Sequence, residues 1–399
     1  MLRRYRAGSL RTSLTAILLM VFAGGWSAAR PASAGGVRGT ELPQPTGRYP
    51  VGRRIFYVLD STRTDPQAIR PDGNREFMLV TWYPAGSEGR EVRSPWIPEA
   101  WADSAASDLF LLTRHAATPP SNEEVRRTVR ATMSWAMDSA AIAPDGLSYP
   151  VLIFSPGNVT MPEYYSSLAE ELASWGYVVI GQVTTGYARS VVLPDGRVFP
   201  RRPYSDLGQW SGDMKCILDH LPQWNRDARH PFHGRLDVLR VGIYGHSSGA
   251  NAAQMLGSAD ERVAAIAAVD PGLPDTSWAT RKPTLLLLAE NQSFFSRHPA
   301  EALSVGRERA QYMRRLTHGF EFTIGGSEHM SFSDLSAIAA FRSNDESVPQ
   351  LRAARTVLLE FFEEALRGRP SALLDRGAVG DSLIRRGAPR LEPGDQAGG

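Results

Sequence analysis

The sequence predicts an α/β fold, a doubly wound and mostly parallel sheet with helices on both faces. Apolar runs of strand length recur without polar alternation, as strands buried on both faces require. Helical stretches separate those runs in strand–helix order. One run, Val238 to Tyr244, ends in Gly245-His246-Ser247-Ser248-Gly249 and passes into a helix through Ala250, Ala252, Ala253 and Leu256.

Along the chain, Arg3-Arg4-Tyr5-Arg6, the apolar Leu14 to Ala23 and Ala32-Ser33-Ala34 read as a secretory leader over residues 1–34, so export is expected. The Gly/Pro-rich stretch 35–49 reads as a flexible lead-in. The folded domain is placed at 50–367. Arg54 to Asp60 and Glu76 to Tyr83 are rich in Val, Ile, Tyr and Phe and read as strands. Tyr149 to Phe154 and Tyr177 to Val183 are buried parallel strands. Between them Pro162 to Trp175 is a helix with Tyr165, Leu168, Leu172 and Trp175 on one face, ended by Gly176. LGQWSGDMKCILDHL is an amphipathic helix, with Cys216 as a small packed hydrophobe. Val263 to Val269, Thr284 to Ala289 and Phe320 to Ile324 are the later strands. A helix over Val348 to Leu366 closes the domain, and 368–399 reads as a loosely ordered tail.

Residues 95–149 break the alternation. This helical insertion holds Trp96, Trp101, Leu109, Phe110, Trp135 and Met137, with helical spacing over Arg126 to Ala136. It is either a lid-like cap over the site or a helical excursion packing its own aromatics on the sheet.

With 399 residues and 42% hydrophobic content, the chain can bury a large core. Its single cysteine allows no intramolecular disulfide. A net charge of +2 and no basic patch interleaved with aromatics exclude nucleic acid as a partner.

A serine between glycines at a strand-to-helix turn is the nucleophile elbow of the α/β-hydrolase fold. The glycines leave room for a strained backbone, and the Ser248 amide faces a developing oxyanion from a helix N-terminus. A serine hydroxyl needs a base, and the base needs an orienting acid, in the chain order Ser, acid, His. After Ser247 the histidines are His298, His318 and His329. His329 follows the last strand in a Gly- and Ser-rich loop and is the candidate base. Asp270, Glu290 and Asp275 are the candidate acids; the first two each end a strand. Gly157 and the Asn158 amide follow the strand ending at Phe154 and suit a second oxyanion donor.

Asp60-Ser61-Thr62-Arg63, Arg75-Glu76, Thr81-Trp82-Tyr83-Pro84-Ala85, Trp96-Ile97-Pro98-Glu99, Phe154-Ser155-Pro156-Gly157, the elbow and His329-Met330-Ser331-Phe332-Ser333-Asp334 together resemble the platelet-activating factor acetylhydrolase family, plasma type. The likeness runs from about Gly47 to Leu366. It implies Ser247 as nucleophile, Asp270 as acid, His329 as base, and the Asn158 and Ser248 amides as oxyanion donors. It also implies a short-chain ester or acetylated phospholipid substrate, transient contact with a membrane or lipid surface, and chemistry without metal or cofactor. Ala250 and Pro156 depart from the family's glycine and histidine at those positions, and neither touches a reacting atom. The bacterial cutinase group is also similar at the elbow and at Pro283-Thr284-Leu285, but the position matching its acid is Gln292, which cannot ionise.

Overall fold

In the computed structural model, residues 41–387 are described apart from 67, 87–91, 114–118, 187–190, 201–205, 273, 293–298, 342–346 and 378–380. The expected leader, residues 1–34, lies outside the described residues.

Strands β1 (Val51–Thr64) and β2 (Asn74–Pro84) form an antiparallel pair, with Ile55 opposite Val80 and Phe56 opposite Leu79. Short β3 (Ala136–Asp138) adds in parallel to the start of β1. The centre of the sheet is built by β4 (Tyr149–Ser155) and β5 (Val178–Val183). A separate small hairpin is made by β6 (Val191–Val192) and β7 (Val198–Phe199). Then follow β8 (Leu236–His246), β9 (Val263–Val269), β10 (Pro283–Ala289) and β11 (His318–Ile324), with β12 (Ile384–Arg386) antiparallel at the edge. The order is β12-β11-β10-β9-β8-β4-β5-β2-β1-β3, and every pairing from β5 to β11 is parallel. This is an α/β-hydrolase fold.

Side chains alternate across each strand, so each parallel strand feeds two cores. On β4, Leu152 and Phe154 enter one core and Val151 and Ile153 the other. The first core is covered by α3 (Ser166–Ser174) and α7 (Ser347–Arg367), through Leu168, Leu172, Leu358 and Phe362. The second is covered by α4 (Leu207–Arg226) and α5 (Ser248–Ala259), through Met214, Ile217, Ala253 and Leu256, and α6 (Pro299–Arg315) connects β10 to β11. The inserted helices α1 (Glu99–Thr113) and α2 (Asn122–Ala131) put Trp101, Leu109, Val125 and Val129 into the first core, beside Trp82 and Phe154. The insertion therefore packs as core. The helical spacing expected over Arg126 to Ala136 is broken at Thr132, and Ala136 opens β3 instead.

Three expectations need correction. The lead-in, where described, is clamped rather than flexible. Arg355 donates to the Pro43 and Gln44 carbonyls at 2.9 Å each, and the Thr46 amide donates to Glu171 at 3.0 Å. The tail past Gly368, where described, carries α8 (Ala372–Arg376) and β12, because Leu373, Leu374 and Ile384 are apolar enough to bury, and its last stretch, 388–399, lies outside the described residues. Trp175 caps α3 at its C-terminus and is partly exposed, off the buried face.

Asp60-Ser61-Thr62-Arg63 and Arg75 turn out to be structural. Buried Arg75 donates to Asp213 at 3.0 and 2.6 Å and to Asp65 at 2.8 Å, and Arg63 joins Asp213 to Asp60. This ion network fastens the β1–β2 pair to α4.

Three other carboxyls are fully buried where the first core meets the loops. Asp334 accepts from the Ser167 amide and from Trp96 Nε1, each at 3.0 Å. Glu170 accepts from Ser134 Oγ and the Trp135 amide. Neither Glu163 carboxyl oxygen has a hydrogen-bond partner among the described residues. Burial pushes Glu163 and Glu170 up to about 7 and Asp334 up to about 6. A carboxyl whose pKa rises on folding binds its proton more tightly in the native state. Native stability therefore falls as pH climbs from the ordinary carboxyl range toward 7. Glu163→Gln should raise stability at pH 8, on the order of 1–2 kcal/mol, and leave it unchanged near pH 4.5. Thermal melts of both proteins at the two pH values check this.

Candidate active site

Five parallel strands, β4, β8, β9, β10 and β11, end at one edge of the sheet, and each passes a candidate residue to the loop beyond it. After β8 the chain reverses at Ser247, whose φ of 55° and ψ of −123° lie far from the usual range for serine. Contact explains the flanking glycines. A Cβ on Gly245 would sit 2.3 Å from the Gly249 backbone, and one on Gly249 would sit 2.2 Å from the Ser155 and Pro156 carbonyl oxygens. The strained turn is held by the Ser247 amide, which donates to the Val269 carbonyl at 3.0 Å.

Ser248 begins α5. Asn158 stands in the turn after β4, next to Val159, a β-branched residue at φ 60°. Among the described residues neither the Asn158 nor the Ser248 amide has a hydrogen-bond partner. Gly157 packs on the elbow, where an added Cβ would lie 3.4 Å from Ser247 Cβ.

Asp270 follows β9 with φ 40°, and His329 opens a 3-10 turn (His329–Phe332) after β11. His329 Nδ1 lies 2.6 Å from Asp270 Oδ2, and both side chains are buried. The other carboxylate oxygen accepts from the Ala289 amide at 3.0 Å and from Gln292 Nε2 at 2.9 Å. Burial works against the Asp270 charge, but its bonds from His329, Ala289 and Gln292 outweigh it and hold the carboxyl below its ordinary range. The His329 ring also lies 4.4 Å from the ring of His246, the residue before the serine.

The other candidates stand elsewhere. Glu290 accepts from the Gly326 amide at 2.7 Å and pairs with Arg385 at the surface. Asp275 caps a short 3-10 turn through the Ser277 amide. His318 is exposed at the head of β11, away from the strand ends that carry the site. His298 lies outside the described residues. Two contributors were not legible as such. Gln292 was notable only for lacking a charge, yet its amide orients Asp270. His246 occupied the variable position of the turn, and no spacing signal marks it. Among the described residues no group of three or more His, Cys, Asp or Glu side chains is placed to hold a metal ion.

A carboxylate thus holds an imidazole at the sheet edge where a serine stands on a strained turn, and among the described residues the Asn158 and Ser248 amides are unpaired. A family model described as "Platelet-activating factor acetylhydrolase, isoform II" matches residues 34–183, which include Trp96 and Asn158 and end before Ser247. A curated protein of Arthroderma benhamiae, described as "Probable 1-alkyl-2-acetylglycerophosphocholine esterase", is 25% identical over 365 residues, covering 84% of this chain and 90% of its own length. The chain is thus similar to platelet-activating factor acetylhydrolases. That likeness embraces the elbow and both loops around it, since the relative spans most of the chain. The fold is shared more widely. A ferulic acid esterase structure from Streptomyces cinnamoneus superposes with a TM-score of 0.70 at 24% identity, covering 87% of this chain and 99% of its own.

The geometry separates the two strand-end acids. Asp270→Asn should lower kcat for p-nitrophenyl acetate by roughly 10³–10⁴-fold, as expected when the imidazole is held in the wrong tautomer. Glu290→Gln should leave kcat near the parent value.

Proposed function

We propose that this chain is a serine ester hydrolase that cleaves short acyl esters, the acetyl ester of phospholipids foremost, through an acyl-serine intermediate. Its general class is carboxylic ester hydrolase. The observation that carries the mechanism is the buried 2.6 Å pairing of His329 Nδ1 with Asp270, at the strand edge where Ser247 stands on its strained turn.

Ser247 Oγ attacks the ester carbonyl carbon, and His329 takes the hydroxyl proton. Asp270 fixes the Nδ1–H tautomer and stabilises the imidazolium that forms. The carbonyl oxygen becomes an oxyanion and receives hydrogen bonds from the Asn158 and Ser248 amides, reinforced by the N-terminus of α5. As the tetrahedral intermediate collapses, His329 gives its proton to the leaving alcohol. Water, deprotonated by His329, then attacks the acyl-serine carbonyl, and His329 returns the proton to Ser247 Oγ as the acyl bond breaks and the acid departs.

Support for a short acyl group comes from the tight setting of the serine, which is only 8% exposed and has Gly157 against its Cβ. Support for a phospholipid comes from the Arthroderma relative, whose description names an acetylated glycerophosphocholine. Contact with a lipid surface would be transient, and among the described residues no helix is long and apolar enough to cross a membrane. Export through the leader at residues 1–34 completes the proposal.

Ser247→Ala should abolish p-nitrophenyl acetate hydrolysis, and a fluorophosphonate should label the parent protein at Ser247. Retained turnover in the variant, or no label on the parent, would rule the mechanism out. Across acetyl, butyryl and octanoyl esters, kcat/KM should fall with chain length, and acetylated phosphocholine lipid should be cleaved. A preference for octanoyl esters would remove the short-acyl assignment.

A further inference from the structure

We propose that His246 is a positioning residue that couples the oxyanion loop to the loop bearing His329, acting through Tyr165. The proposal rests on the roles given above to Ser247, Asp270 and His329.

His246 Nε2 lies 2.9 Å from the carbonyl oxygen of His329, and its Nδ1 lies 2.8 Å from Tyr165 Oη. A carbonyl can only accept, so Nε2 carries the ring proton. Complete burial drives the His246 pKa down to about 3, so the ring is neutral and Nδ1 is bare. Tyr165 must therefore donate its hydroxyl proton to Nδ1. The same oxygen accepts from the Gly157 amide at 3.4 Å. Thr160 Oγ1, 3.2 Å from Tyr165 Oη, donates to the Gly157 carbonyl at 2.7 Å. One run of bonds thus leads from Gly157, adjacent to the Asn158 donor, through Tyr165 and His246 to the backbone of His329.

This run does what Asp270 cannot. Asp270 holds the His329 ring through Nδ1, whereas His246 holds the peptide from which that ring projects. His246 is also bonded in the chain to Ser247, so nucleophile, base and oxyanion amide are all placed relative to one ring. Neutrality matters as well. The His246 and His329 rings are 4.4 Å apart and tilted by 35°. His329 becomes positive during the reaction, and a charged neighbour at that distance would oppose it.

The test compares Tyr165→Phe, His246→Phe and the double variant with the parent, using p-nitrophenyl acetate kinetics and thermal melts. Each single change should lower kcat about tenfold, the scale of one lost hydrogen bond. KM should stay within about twofold, and Tyr165→Phe should melt near the parent temperature. The double variant should be no slower than the slower single, because both changes cut the same run of bonds. His246→Gln, whose amide can still donate to the His329 carbonyl, should recover part of the activity lost in His246→Phe. If His246→Phe does not fold, Tyr165→Phe and His246→Gln decide the matter alone. A kcat for Tyr165→Phe within twofold of the parent, or multiplied losses in the double variant, would overturn the coupling. Ser247→Ala is run alongside. Turnover in that variant would defeat the mechanism itself, whereas a dead Ser247→Ala with fully active Tyr165 and His246 variants would defeat only the coupling.

Discussion

The site depends on a single contact of backbone on backbone, where α5 leaves the sheet against the end of β4. Gly249 lies so close to the Ser155 and Pro156 carbonyls that no side chain fits between them. That approach forces the reversal at Ser247 and sets the direction in which the Ser248 amide points. It also fixes the distance from the elbow to the loop carrying Asn158, because Pro156 and Asn158 share that loop. The neighbouring strand then delivers the acid, with Val269 paired to His246 across β8 and β9. His329 starts three strands away from the elbow, at the end of β11. Its loop must arch back over β9 and β10, and the bond to Asp270 is what meets it there.

The central strands were legible in the sequence because burial on both faces removes polar residues from them. Val263–Val269 is such a run, and its expected bounds match the structure. The short edge elements left no such trace. Three-residue β3 and β12 are too brief for any periodicity, and their pairing is decided by what lies next to them. The same holds for the segment near Pro43, whose order comes from Arg355, more than 300 positions away. At the site, Ser247 and His329 could be singled out from local chemistry and chain order. Local chemistry could not choose among Asp270, Glu290 and Asp275, since each is an acid beside a turn, and it was the family resemblance that favoured Asp270. The three-dimensional path brings the Asp270 carboxylate to the imidazole while Glu290 turns outward to Arg385.

The polar groups buried beneath the loops show how the fold holds its working parts. Asp334 lies five residues beyond His329 and accepts from the first turn of α3, the helix that follows the oxyanion loop. Trp96 bridges the same junction by donating to Asp334 and to the Glu163 carbonyl. These contacts come with buried carboxyls that oppose folding when ionised. The motifs around Trp96 and Asp334 thus serve the site at one remove, by holding together the two loops that carry its chemistry.

Val159 brings these themes to one residue. A branched side chain in the left-handed region is costly for an isolated peptide, and the surrounding packing must sustain it at all times. The cost is met when the chain folds, not when an ester arrives. Under the proposed mechanism the adjacent amide is aimed in advance, so no backbone rearrangement has to accompany the gathering of negative charge on the carbonyl oxygen. Solvent dipoles would have to reorganise around that charge, while this loop is set in advance.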